Sequence, residues 1–130
     1  LFFTGKIPAD PIGRFFSTVS YAQRIVFADE TEARETIKRI GAIHTGVENA
    51  RQEKIPDWAY RDVLYMLIDY SERSFELLFR PLTGEEKKDL YNHFKRLGEL
   101  MEIEKLPSDY LAWQSDRIIH IEKDLAYSPY

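Results

Sequence analysis

Residues 56–79 read PDWAYRDVLYMLIDYSERSFELLF, and this stretch decides the fold. Pro56 breaks what precedes it, and Asp57 is suited to cap a helix that opens at Trp58. Val63, Leu64, Tyr65, Met66, Leu67 and Ile68 follow one another without a polar residue. A helix from Trp58 to Phe79 is therefore apolar nearly all round, which belongs at the centre of a helical bundle rather than on its surface.

Working outward, the same punctuation recurs. Thr83-Gly84-Glu85-Glu86 is a capping box, in which Thr83 bonds forward to an amide and Glu86 bonds back. It predicts a helix to about Met101, with Leu90, Phe94, Leu97 and Met101 on the buried side and Lys87, Lys88, Asn92 and Lys95 on the wet side. Pro107 and Ser108 open a last helix, in which Leu111, Ile118, Ile121 and Leu125 pack inward before Ser128-Pro129 ends it. Upstream, Thr31 can cap a helix whose Ala33, Ile37, Ile40, Ile43, Val47 and Ala50 recur at three-to-four spacing. Asp10-Pro11 starts another, running to about Phe27. No stretch alternates at period two for long enough to make a strand, and no repeat or low-complexity tract is present. The expectation is an all-α, single-domain bundle of about five helices over residues 1–130, with the apolar helix near residues 57–79 at its centre.

Composition agrees. The 130 residues are 44% hydrophobic, 14% aromatic and 31% charged, enough to fold as one domain with a core of large side chains. A net charge of −4 with mixed signs leaves no basic stripe for nucleic acid. Without cysteine there is no disulfide framework, thiolate ligand or cysteine nucleophile. The longest apolar run is far shorter than the roughly 20 residues of a membrane span, so a soluble protein is expected, the cytoplasm being favoured. The start at Leu1-Phe2-Phe3 has neither a basic n-region nor an h-region and reads as a cut or processed end. Oligomeric state is not legible.

Three histidines and a set of charges on the central helix are the candidates for chemistry. His44 follows Ile43 and lies at helical spacing from Ile40 and Val47, which points it into or beside the core. There a neutral imidazole can bind a metal or haem iron, or it can be a satisfied core histidine. His120 stands three residues after Arg117 and four before Asp124, so one face carries a cation, an imidazole and an orienting carboxylate. That face suits a catalytic or ligand role and equally a structural polar network. His93, beside Asn92 and near Lys95, reads as surface.

On the central helix, Asp62, Met66, Asp69 and Arg73 lie along one face, and Asp69 can pair with Arg73 at i, i+4. Such a pair beside a pocket can act as acid, base or substrate anchor. It can also simply tie helices together. The sequence holds no pair of histidines at i, i+4, no Glu-x-x-His, no Gly-rich phosphate loop and no serine-hydrolase elbow, so zinc, di-iron and nucleotide chemistry lose ground and the identity of any metal stays unknown.

The order Ile43-His44 with Val47, Asp69 in the long helix, Pro81-Leu82-Thr83, Tyr91 and Leu106-Pro107 resembles the rubber-oxygenase (latex clearing protein) and MpaB-type oxygenase family. The resemblance spans roughly residues 14 to 125, and the segment from Ile55 to Ser71 looks like a bacterial branch of that family. It implies an all-α domain related to b-type haem oxygenases, some of which cleave carbon–carbon double bonds of an isoprenoid polymer with dioxygen. By that resemblance the chain is expected to be an oxidoreductase with haem b acting on an apolar, isoprenoid-like small molecule. Those haem members place an axial histidine just after a tryptophan early in the central helix. Counting back from Pro81 puts Leu64 there, and counting forward from Trp58 puts Tyr60 there; neither carries an imidazole. His44 or His120 would then hold the haem, with Asp69 and Arg73 as the catalytic candidates. A non-catalytic helical module of the same descent, binding an apolar ligand or a protein partner, is the other expectation.

Overall fold

The computed structural model describes residues 29–124, and these form four α-helices: α1 (Glu30–Arg51), α2 (Asp57–Leu78), α3 (Gly84–Leu100) and α4 (Tyr110–Asp124). No strand occurs among the described residues, so the all-α expectation holds there. The helix expected from Asp10-Pro11 to Phe27, Leu125 and the stop at Ser128-Pro129 lie outside them. The chain divides into two compact units, residues 1–45 and residues 46–130, and the boundary falls inside α1.

In the described part of the first unit, Thr36 and Ile37 are buried, whereas Ile43 is exposed. Asp29 starts α1, its side chain accepting from the Glu32 amide at 2.9 Å. The cap is thus two residues earlier than Thr31, because an aspartate in extended backbone reaches the third helical amide as well as threonine does.

In the second unit, α1 ends without glycine. The Gln52 amide bonds to the Asn49 carbonyl, the Glu53 amide to that of Glu48, and Gln52 takes φ 54°. This is a Schellman ending on a non-glycine residue. α3 ends the same way, with Glu102 at φ 60° and the Ile103 amide bonded to the Gly98 carbonyl at 3.0 Å. α2 begins after Pro56 with no side-chain cap, so the expected Asp57 cap is not formed. Asp57 lies one position too late and instead accepts from the Glu104 amide at 3.1 Å, tying the start of α2 to the loop after α3. The capping box of α3 forms as expected: Thr83 accepts from the Glu86 amide at 3.2 Å, and Glu86 accepts from the Thr83 amide at 2.8 Å. α4 is capped by Asp109, which accepts from the Ala112 amide at 3.0 Å, rather than by Ser108.

α2 packs against α3 and α4, and α3 packs against α4. Leu64, Tyr65, Ile68, Tyr91, Ile103, Tyr110 and Trp113 form the core, flanked by Tyr60, Phe94, Leu97, Met101 and Leu106. Gly98 lets Leu64 of α2 and Leu106 of the following loop come so close that a Cβ there would lie 2.7 Å from both. Among the described residues α2 buries one face only. Its other face, with Val63, Met66, Leu67, Tyr70 and Leu77, is exposed, so packing of this helix on all sides is not what the second unit shows.

α4 is turned the other way from the expectation. Leu111, Ile118 and Ile121 are exposed, and Tyr110, Trp113 and His120 are buried. The reason is that Tyr and Trp cover more area than an aliphatic side chain, and the Tyr110 hydroxyl and the His120 imidazole find partners on α2, Glu72 and Asp62. Lys87 is likewise not on the wet side; it bridges Glu72 at 2.6 Å and Glu76 at 3.0 Å, and burial is offset by those carboxylates.

Candidate functional site: a polar seam against an aromatic core

The chemistry-bearing side chains of the second unit gather where α2 faces α4. Residues 62, 65, 69 and 72 follow one another at three-to-four spacing along α2 and meet His120, Asp116, Arg117 and Tyr110 of α4.

At one end, His120 Nε2 lies 3.2 Å from Asp62 Oδ1, and the imidazole is only 3% exposed. Its ring stands edge-on to Tyr65, centroids 5.7 Å apart. Tyr65 donates to Asp116 Oδ2 at 2.5 Å. Burial, followed by the hydrogen bond to Asp116 and that carboxylate's charge, pushes the Tyr65 phenol far above its usual range.

A turn along, Asp69 accepts from Arg117 Nη2 at 2.9 Å and from Arg73 Nε at 2.8 Å. Burial alone would raise the Asp69 carboxyl; the two guanidiniums outweigh it and hold the group below the usual carboxylate range. Arg73 is itself exposed, whereas Arg117 and Asp69 are mostly covered. At the far end Glu72 accepts from Tyr110 at 2.8 Å and holds Lys87, and Gln114 donates to the Tyr110 hydroxyl at 3.1 Å. Burial, then the hydrogen bond to Glu72, raises Tyr110 to about 12.

Trp113 sits between these turns. Its ring centroid is 6.3 Å from Tyr65, 6.1 Å from Tyr91 and 5.4 Å from Tyr110. Tyr91 donates to the Pro107 carbonyl at 2.6 Å, which fixes the loop before α4.

Of the residues the sequence offered, the structure joins Asp69 to Arg73 and places His120 beside them on the same seam. Asp62 turns inward with Asp69, while Met66 and Arg73 point outward, so the supposed single face of α2 divides in two. His120 takes its carboxylate from Asp62 on α2; the side chain of Asp124 lies outside the described residues. His44 is half-buried on the part of α1 that belongs to the first unit. His93 is exposed, its Nδ1 2.7 Å from the Asp89 carbonyl, as read. Sequence reasoning passed over Asp116, Glu72, Tyr65 and Tyr110. Only a heptad-like register of Tyr110, Trp113, Arg117 and His120 on α4 could have pointed to them.

Of the two positions counted for an axial ligand, Leu64 is packed in the core, and Tyr60 is 3.4 Å from Glu48 Oε1 through its hydroxyl. His120 Nε2 is turned to the Asp62 carboxylate, 3.2 Å away, and its ring is nearly excluded from water. Among the described residues, no three His, Asp or Glu side chains are grouped to hold a metal ion, and no helix is long and apolar enough to cross a membrane.

Comparison with curated proteins and with solved structures gives no match. A family model described as ER-bound oxygenase mpaB/B'/Rubber oxygenase, catalytic domain, matches residues 3–115, which takes in all of α1, α2 and α3, the start of α4 and the aromatic core, and stops just short of Asp116, Arg117 and His120. With most of its length matched in this way, the chain belongs to the mpaB and rubber-oxygenase catalytic-domain family.

Proposed function

We propose that this chain is an oxygenase-type catalytic module that acts on an apolar small molecule of isoprenoid-like character, with haem b as cofactor. The family match over residues 3–115 carries the reading. The exposed apolar face of α2, from Val63 to Leu77, supports an apolar substrate. His44 is the imidazole assigned to iron, because Leu64 and Tyr60 cannot supply one and His120 is held by Asp62. Haem would supply the chemistry of dioxygen. Within the second unit, the seam keeps α2 and α4 in register and holds Asp69 ionised between two guanidiniums.

An ultraviolet–visible spectrum of the protein as purified, and again after addition of haem and reductant, tests the reading. A stoichiometric Soret band that His44→Ala removes and His120→Ala leaves unchanged supports it. The packing of Leu64 at the counted ligand position favours a second reading, a non-catalytic module binding an apolar ligand or a protein partner. Absence of the band under both conditions overturns the haem reading and leaves a haem-free enzyme or that module.

A further inference from the structure

The buried aromatic residues of the second unit carry a feature that packing does not require. Two of the three tyrosines around Trp113 end on carboxylates: Tyr65 on Asp116 at 2.5 Å and Tyr110 on Glu72 at 2.8 Å. Their rings flank the indole at 6.3 and 5.4 Å between centroids, and all three residues are nearly excluded from water. Tyrosine and tryptophan are the side chains most easily oxidised by one electron, apart from cysteine, which the chain lacks. A phenol gives up its electron readily only if its proton can leave at the same moment. A hydrogen-bonded carboxylate is the group that takes it.

We propose that Tyr65, Trp113 and Tyr110 form a relay that carries a one-electron oxidising equivalent through the interior, from the His120 end of the seam to the Glu72 end. A one-electron oxidant removes an electron from Tyr65; the phenolic O–H bond breaks, an O–H bond forms on Asp116, and a neutral phenoxyl radical remains. Trp113 returns an electron to Tyr65, which takes its proton back from Asp116, leaving an indole radical cation. Tyr110 then reduces the indole and passes its own proton to Glu72. The net change is one electron gained by the oxidant, one lost by Tyr110 and one proton moved to Glu72. Glu72 lies against Lys87, at the edge of the core, where a soluble one-electron reductant restores Tyr110 as the proton returns. The raised phenols keep both tyrosines protonated at rest, so that electron and proton depart together. That dioxygen activation generates the oxidant rests on the oxygenase reading; the relay itself does not.

The absence of native cysteine allows a single-site test. Ile119→Cys, at an exposed position beside His120, is labelled with a ruthenium polypyridyl photo-oxidant, and the radicals formed after flash-quench are followed by transient absorption and electron paramagnetic resonance. The expected result is a tyrosyl signal with a component that Tyr110→Phe removes. Trp113→Phe removes the same component, and Asp116→Asn, which leaves the packing in place, lowers the yield of all of it. Persistence of the Tyr110 component in a folded Trp113→Phe protein overturns the relay, as does a yield unaffected by Asp116→Asn. Because the photo-oxidant replaces any natural one, a missing Soret band would overturn the oxygenase reading and leave this result standing.

Discussion

Arg117 of α4 reaches Asp69 of α2 at 2.9 Å, and both side chains are covered to within about a sixth of their surface. This pair, and not the i, i+4 pair with Arg73, is the one that crosses between helices. Removing one partner leaves the other charged and largely dry. Arg117→Met is expected to destabilise the protein by about 2 kcal/mol, less than the roughly 3–5 kcal/mol of a fully buried pair because some water reaches it and Asp69 keeps Arg73. Arg73→Ala, at an exposed guanidinium, should cost much less, and the double change Arg117→Met with Asp69→Leu should recover most of the loss. Urea unfolding followed by circular dichroism measures all three.

His120 and Asp62 make the matching contact one turn away. Asp62→Ala removes the carboxylate that faces the buried His120 Nε2, at a cost of about 1–3 kcal/mol. In the His120→Phe background the same change should cost clearly less, since the phenyl ring can keep the edge-on contact with Tyr65 without needing an acceptor. Equal costs in the two backgrounds would show that the pair contributes nothing.

Tyr91 and Tyr110 are both raised to about 12, chiefly by burial. The folded state therefore binds these protons more tightly than the unfolded chain, whose tyrosines titrate near 10.0. The stability they contribute is complete below pH 10 and is lost as pH rises from 10 towards 12. Absorbance of ionised tyrosine should thus lag behind that of exposed residues and then rise together with the loss of helix. Tyr91→Phe should reduce the slope of stability against pH in that window. The opposite dependence holds for Asp69, whose carboxyl is held low: its contribution is present above the usual carboxylate range and is lost as pH falls through the lowered value.

Glycines on α1 and α3 are expected to respond oppositely to alanine. Around Gly41 and Gly46 an added Cβ meets nothing within 4 Å, so each substitution should stabilise by up to about 1 kcal/mol through helix propensity alone. At Gly98 the same Cβ would lie 2.7 Å from Leu64 and from Leu106. Overpacking there should outweigh the propensity gain and leave a net loss of about 1 kcal/mol. Thermal unfolding of the three single variants gives the signs directly.

Helix identity was legible in the sequence because it depends on neighbours three and four residues apart. Pro56 and the Thr83 capping box marked two starts within a residue, and the apolar run from Val63 to Ile68 marked the helix that gives the core its largest share. Helix ends at Gln52 and Glu102 gave less warning, since a left-handed residue other than glycine carries no compositional sign. The candidate site was legible only in part. His120, Asp69 and Arg73 could be picked out, but the inward turn of Tyr110, Trp113 and His120 on α4 could not, because aliphatic residues occupy the other side of that helix and look more like core.

The sequence by itself determined that this chain is helical, where α2 and α3 start, and that Asp69 can reach Arg73, all of which follow from local backbone geometry and short-range hydrogen bonds. Only the tertiary structure decided that His120 belongs to Asp62, Tyr65 to Asp116 and Asp69 to Arg117, each joined across 48 to 58 residues of chain. Such pairings depend on which face each helix turns to the next. That choice is made by the summed burial of large aromatic side chains and by the hydrogen bonds of the Tyr65 and Tyr110 hydroxyls, and where a helix carries two competing stripes its own periodicity does not say which of them is buried.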